Sequence, residues 1–253
     1  MRPILQIRDL TLGAGRPKIC IPIVGRNLSE ILTQAQKLKP LNPDMAEWRM
    51  DWFAGAQDPQ LLQTAMNALR EALPQLPLLF TFRTRAEGGE QACTNEQYLS
   101  ICRQAIQSNC CDLVDLELFS CGEALSELTD LAKNSKVATI FSSHHFDRTP
   151  PFEELLTIQQ RMEQLGADIC KIAVMPLSAQ DVVTLLSATI QLSETACCPV
   201  ITMSMGALGA VSRICGELTG CCLTFGAAEQ GSAPGQIPVS ELRHMLEALK
   251  LTP

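Results

Sequence analysis

A lysine interrupts the apolar stretch ADICKIAVMP (167–176): Ile169 and Cys170 precede Lys171, and Ile172, Ala173 and Val174 follow it. Lysine is among the residues least often buried, because taking an ammonium out of water costs several kcal/mol or drives the group neutral. A lysine desolvated near other cations has a lowered pKa, and its neutral amine can attack a carbonyl carbon to form a Schiff base. The protonated imine is an electron sink that acidifies the neighbouring C–H. A histidine within reach can take that proton and later return one to a leaving group. Arginines offer planar forks for a substrate carboxylate. The chain holds candidates for each part in Lys171, His144, Arg49, Arg83 and Glu47, and only three histidines in all. This chemistry calls for no metal and no cofactor.

Such groups act together only if a fold gathers them. Apolar runs at 19–24, 45–53, 78–83, 113–119, 137–142, 168–174, 200–204 and 221–225 read as eight strands, each followed by a helical pattern. Asp58-Pro59 supplies an N-cap and a proline at the first helical position ahead of Leu61, Leu62, Ala65, Met66 and Leu69. Thr94 with Gln97 has the form of a capping box. Phe152, Leu155, Leu156, Met162 and Leu165 share a helical face that Gly166 terminates, and Ser240 is the expected N-cap of the last helix. Eight strand–helix units in 253 residues match a single-domain (β/α)8 TIM barrel over 1–253, with a short extension before the first barrel strand. Gly13-Ala14-Gly15 in that extension reads as a turn. An open doubly wound sheet fits less well, since 24–28 carries one glycine where a dinucleotide fold has a glycine-rich fingerprint.

In a barrel, alternate strand residues point inward and chemistry gathers at the C-terminal strand ends. Glu47, Arg49 and Asp51 then share one face, Trp48 and Met50 the other. The third strand ends at Arg83, the fifth runs into Ser142-Ser143-His144-His145, the seventh carries Met203 and Met205, and the eighth ends at Phe225. Singly these groups have structural explanations, such as an ion pair between Lys171 and Glu47. Jointly, so many charges in one core destabilise the fold unless they have a function.

Composition narrows the class further. With 46% hydrophobic and 19% charged residues, the chain is a core-forming globular sequence. A net charge of −7 and a pI near 5.1 argue against nucleic acid or an anionic membrane as partner. No segment has the form of a signal peptide or a membrane span, so a cytoplasmic protein acting on a small-molecule substrate is expected. The twelve cysteines include three adjacent pairs but no C-x-x-C, and read as small buried hydrophobes rather than disulfides or zinc ligands.

Several motifs together resemble the type I 3-dehydroquinate dehydratase family. They are Glu47-Trp48-Arg49, Thr81-Phe82-Arg83-Thr84 with Glu87-Gly88-Gly89, Ser143-His144-His145-Phe146 before Thr149-Pro150, Lys171-Ile172-Ala173-Val174-Met175-Pro176, Met203-Ser204-Met205-Gly206, Ser212-Arg213, and Ser232-Ala233-Pro234-Gly235-Gln236. Their order and spacing match across the chain. The resemblance implies dehydration of 3-dehydroquinate to 3-dehydroshikimate through an imine at C3, in the shikimate pathway, by a homodimer. It implies Lys171 as nucleophile, His144 as proton carrier at C2 and at the C1 hydroxyl, and Glu87 as the residue that orients His144. Arg213 would clamp the substrate carboxylate, while Glu47, Arg49 and Arg83 would hold hydroxyls and the carbonyl region. Met203 and Phe225 would wall the site, and Ser232 and Gln236 would close it from 226–238, a polar loop containing Gly231, Pro234 and Gly235. Pro22, His145 and Trp52 depart from the family's usual serine, aspartate and histidine. A class I Schiff-base aldolase is the alternative on the same fold, although the Ser-Ala-Pro-Gly-Gln loop suits a carboxylate better than that class's usual phosphate. A barrel kept only for binding or regulation is the third reading, opposed by the presence together of Lys171, His144, Glu87 and Arg213.

Overall fold

The computed structural model describes residues 2–228 and 232–251. A hairpin, β1 (Leu5–Ile7) and β2 (Leu10–Leu12), precedes the eight barrel strands: β3 (Lys18–Ile23), β4 (Met45–Arg49), β5 (Leu78–Thr81), β6 (Leu113–Glu117), β7 (Ala138–His145), β8 (Ile169–Val174), β9 (Val200–Ser204) and β10 (Leu223–Ala227). Neighbours from β10 through β3 to β9 pair in parallel and in chain order. The ring closes where the Cys222 amide donates to Val200 O at 2.9 Å. A two-residue strand, β11 (Ile237–Pro238), pairs with the far end of β10. All eight strands anticipated from the sequence are therefore present in the (β/α)8 TIM barrel.

Helices α1 (Leu28–Leu41), α2 (Pro59–Ala72), α3 (Asn95–Gln107), α4 (Ala124–Ser135), α5 (Phe152–Gln164) and α6 (Ala179–Thr195) follow the first six barrel strands, and α8 (Val239–Ala248) follows the last. The expected starts are made: Asp58 accepts from the Gln60 and Leu61 amides, and Thr94 and Gln97 close both halves of a capping box. Thr94→Ala is expected to cost about 1 kcal/mol of stability, read as a lower urea midpoint at an unchanged slope. Among these expectations two are corrected. After β9 no full helix forms, only a 3-10 turn (Ala210–Arg213) and the four-residue α7 (Gly216–Thr219). The chain passes close to the strand end there: a Cβ on Gly209 would lie 2.2 Å from Ser204 O. The last helix begins at Val239, not after Ser240, because β11 runs straight into it with Pro238 at the cap.

Alternation along the strands separates two cores. Outward residues such as Ile21, Trp48, Phe80, Val114, Phe141, Cys170 and Ile172 pack under the helices. Inward residues Met45, Leu79, Leu113, Ile140, Ile169 and Ile201 fill the lower barrel, and Ile7 and Leu12 of the hairpin join them as a plug. Two residues further along five of these strands the inward positions become polar, as Glu47, Thr81, Asp115, Ser142 and Lys171, while β9 continues with Met203. The fold thus sets a charged layer on an apolar floor, at the end of the barrel where the chemistry is expected. No helix of the described residues is long and apolar enough to cross a membrane.

Candidate active site

Above that floor lies a chamber at the C-terminal mouth of the barrel. Glu47 and Arg49 of β4, Arg83 after β5, Glu87, His144 of β7, Lys171 of β8, Met203 of β9 and Phe225 of β10 line it, and Ser232 and Gln236 cover it. Ten of the eleven residues anticipated from the sequence therefore line one chamber. Gly88, Phe146, Ala173, Met205, Ala233 and Pro234 complete the lining.

Lys171 is 4% exposed, its Nζ 3.1 Å from Asp115 Oδ2 and 4.9 Å from the centre of the Phe225 ring. Its partner is Asp115, not Glu47, whose Oε1 accepts from Thr81 Oγ1 at 2.9 Å. Arg83 lies 2.8 Å from Asp115 and donates to Glu117 at 3.0 Å and to Ser142 Oγ at 2.9 Å. Burial alone would raise the Asp115 pKa, but Arg83 first and Lys171 second hold it near 2. Glu117, fully buried, also accepts from the Thr84 amide and hydroxyl and from Ser120. Asp115 and Glu117 were not among the anticipated residues. The same alternation that exposed Glu47 and Arg49 marks them in the Leu113–Glu117 strand, where they sit two apart on the inward face.

His144 Nδ1 lies 2.8 Å from Glu87 Oε2, and the ring stacks on Phe146. Burial, followed by Arg83, Lys171 and Arg49, pushes the imidazole well below its ordinary pKa. Burial pushes the Glu87 carboxyl upward against the pull of Arg83. The next residue, Gly88, has a φ of 82° and the Phe146 ring 2.2 Å from any added Cβ, a place that favours glycine. His145 does not line the cavity; its Nε2 is 3.1 Å from Ser143 Oγ.

The covering loop is tied from below. Arg49 grips Asp51 through two 2.8 Å contacts and donates to Ser232 O at 3.1 Å, while Gln236 and Ser232 bond each other. Arg213, the eleventh anticipated residue, does not line the chamber and is only 2% exposed. It donates to Pro234 O at 2.9 Å, its Nε has no partner, and no carboxylate pairs with it among the described residues. Burial accordingly lowers its pKa to about 10. Gly231 lies outside the described residues. Of the departures, Pro22 faces Glu47 across the β3–β4 ladder, and Trp52 lies under Arg26 at 5.6 Å.

Comparison with known proteins points to one family. The model of the type I 3-dehydroquinase family matches residues 19–253. The chain is 45% identical over 243 residues to the 3-dehydroquinate dehydratase of Listeria welshimeri, covering 96% of each. It is 42% identical over 250 residues to that of Clostridioides difficile, covering 98% of each. A crystal structure of the type I enzyme from Clostridium difficile with covalent modified comenic acid matches with a TM-score of 0.94 at 41% identity over 98% of both chains. The Geobacillus kaustophilus enzyme matches with a TM-score of 0.95 at 37% identity, again over 98% of both.

Proposed function

The chain belongs to the type I 3-dehydroquinase family, and from that premise we propose how its own side chains divide the work. The enzyme is a hydro-lyase of the shikimate pathway that converts 3-dehydroquinate to 3-dehydroshikimate, through the lysine imine characteristic of the type I family.

In this reading the Lys171 amine attacks the C3 carbonyl, and loss of water from the carbinolamine leaves a protonated imine. His144 takes a proton from C2 as the C–H electron pair moves toward the imine nitrogen, giving an enamine. The enamine pair then returns to form the C1–C2 double bond, and the C1 hydroxyl departs as water with the proton that His144 delivers. A second water hydrolyses the conjugated imine and frees Lys171. Glu87 orients the ring by holding Nδ1, which aims Nε2 at the substrate. Asp115 steadies the lysine, and Arg83 and Ser142 in turn steady Asp115.

Arg213 is assigned the substrate carboxylate. A buried guanidinium with an unpartnered Nε gains most from an incoming anion, and Pro234, which it already holds, forms part of the cavity roof. Glu47, Arg49 and Arg83 meet the hydroxyls and the carbonyl region, Met203 and Phe225 are the walls, and Ser232 and Gln236 the cover. The reading extends to a homodimer in the cytoplasm with no cofactor, acting on a small molecule rather than on nucleic acid or membrane.

Lys171 and the His144–Glu87 pair opening on one chamber is the observation that carries this assignment. Borohydride reduction in the presence of 3-dehydroquinate, followed by peptide mass spectrometry, is expected to find a substrate-derived adduct on the peptide containing Lys171. A folded, substrate-binding protein that yields no adduct would refute the role given to Lys171.

A further inference from the structure

The sequence spacing of the cysteines disfavours a metal site, yet the barrel register brings three of them together. Cys170 of β8 points away from the catalytic chamber, and its Sγ lies 3.4 Å from Cys198 Sγ, 28 residues on. Cys197 and Cys198 occupy the loop between α6 and β9, and Glu163 comes from the end of α5. One ligand atom each from Glu163, Cys197 and Cys198 fall within 4.8 Å of one another. Glu163 Oε1 accepts from the Cys197 amide at 2.6 Å, which holds the carboxylate beside Cys197 and Cys198. Cys170 and Cys198 are buried while Cys197 is exposed, so the cluster has both an enclosed side and an entrance.

We propose that Glu163, Cys197 and Cys198, with Cys170 drawn in as a fourth donor through its contact with Cys198, form a structural binding site for a thiophilic divalent cation of the zinc class, on the outer face of the barrel at the end opposite the catalytic chamber. Tetrahedral zinc with bonds of about 2.3 Å to sulfur sets neighbouring sulfurs roughly 3.8 Å apart, so the Cys170–Cys198 pair at 3.4 Å is close to that spacing, while the ligand atoms of Glu163, Cys197 and Cys198, within 4.8 Å of one another, must draw in as the metal binds. Three sulfurs and one carboxylate oxygen suit zinc better than a hard cation, which wants oxygen throughout, or copper(I), which wants soft donors throughout. Binding would tie α5 to the segments entering β8 and β9. The thiols lose their protons to solvent as the metal binds, and no oxidation is involved.

The test is titration of the reduced full-length enzyme with cobalt(II), a spectroscopic stand-in, followed by displacement with zinc. The expected result is a single equivalent of tetrahedral cobalt with a thiolate charge-transfer band, displaced by zinc, and a melting temperature that rises with zinc concentration. Cys197→Ser, exposed and unable to unfold the barrel, and Cys198→Ser should each weaken zinc binding by at least about 100-fold, beyond the range of outer-shell changes. Cys93→Ser should retain the band. No thiolate band in the reduced protein, or a band and affinity that survive both Cys197→Ser and Cys198→Ser, overturns the proposal. A Cys170–Cys198 disulfide that forms instead, with no metal bound after reduction, overturns it equally.

Discussion

Lys171→Ala is expected to abolish both the borohydride-trapped adduct and measurable turnover while the barrel stays folded. Removal of a covalent nucleophile costs on the order of 10⁵ to 10⁶ in kcat when the rest of the site is intact. No other lysine is among the described residues lining the chamber, so no second amine is placed to take over. The fold should survive because Asp115, the carboxylate left behind, keeps Arg83 at 2.8 Å and the Ser142 hydroxyl at 2.5 Å. Of the two cations holding its pKa down, Arg83 is the stronger, so its charge remains compensated after the lysine is gone. Lys171→Met is the companion variant, keeping an apolar stem against Phe225 in case the smaller residue loosens the core. Circular dichroism and melting would establish folding, and mass spectrometry the adduct. A substrate adduct trapped on another residue of the folded variant would move the nucleophile elsewhere.

Lys171 and the barrel around it are legible in the sequence because both signals are local and periodic. An apolar run bounded by turn residues marks a strand whatever its neighbours do, and eight of them with helices between restrict the topology severely. Alternation then assigns faces, which is why Glu47, Arg49, Arg83, His144 and Lys171 could be placed in one interior before any distance was known. Three features were less legible. The N-terminal hairpin turns at Arg8-Asp9 with no glycine or asparagine; Arg8 sits at φ 51°, held by tertiary contacts from its side chain to Asp112 and Pro74 O. The partner of Lys171 depended on register between non-adjacent strands, so Asp115 was passed over for Glu47. The cysteine cluster depended on Cys170 lying beside the residues that lead into β9, a contact between segments 28 residues apart that no spacing rule anticipates.

The charged layer also explains why a histidine rather than a further carboxylate suits the proton transfers. Asp115 is fixed as an anion by Arg83 and Lys171, so it cannot hold the proton taken from C2. Glu117 is spent on Arg83, Thr84 and Ser120. His144 is different: burial and three nearby cations keep its ring neutral, and Glu87 holds Nδ1, so Nε2 can face substrate and both accept and return a proton.

His144→Ala should therefore still accumulate imine on Lys171 while turnover falls by about 10² to 10⁴, the usual worth of a positioned acid–base group. The substrate adduct should be trapped more abundantly than in the wild type at steady state, because the step after imine formation is the one impaired. A pH profile separates this from mere structural damage. In the wild type, a proton added to the His144–Glu87 pair occupies the lone pair that C2 deprotonation requires, so kcat should fall as pH drops through the pair's titration. Because the two groups are coupled, the limb reports the pair and not either residue alone. The imidazole's lowered pKa acts in the favourable direction, leaving it neutral at pH values where a free histidine is partly protonated. In His144→Ala that acid limb should vanish and the residual rate flatten. Near-normal turnover would transfer the role away from His144, with His145 the first candidate despite its hydrogen bond to Ser143. A slow variant that keeps the wild-type acid limb would show that the titrating base lies elsewhere.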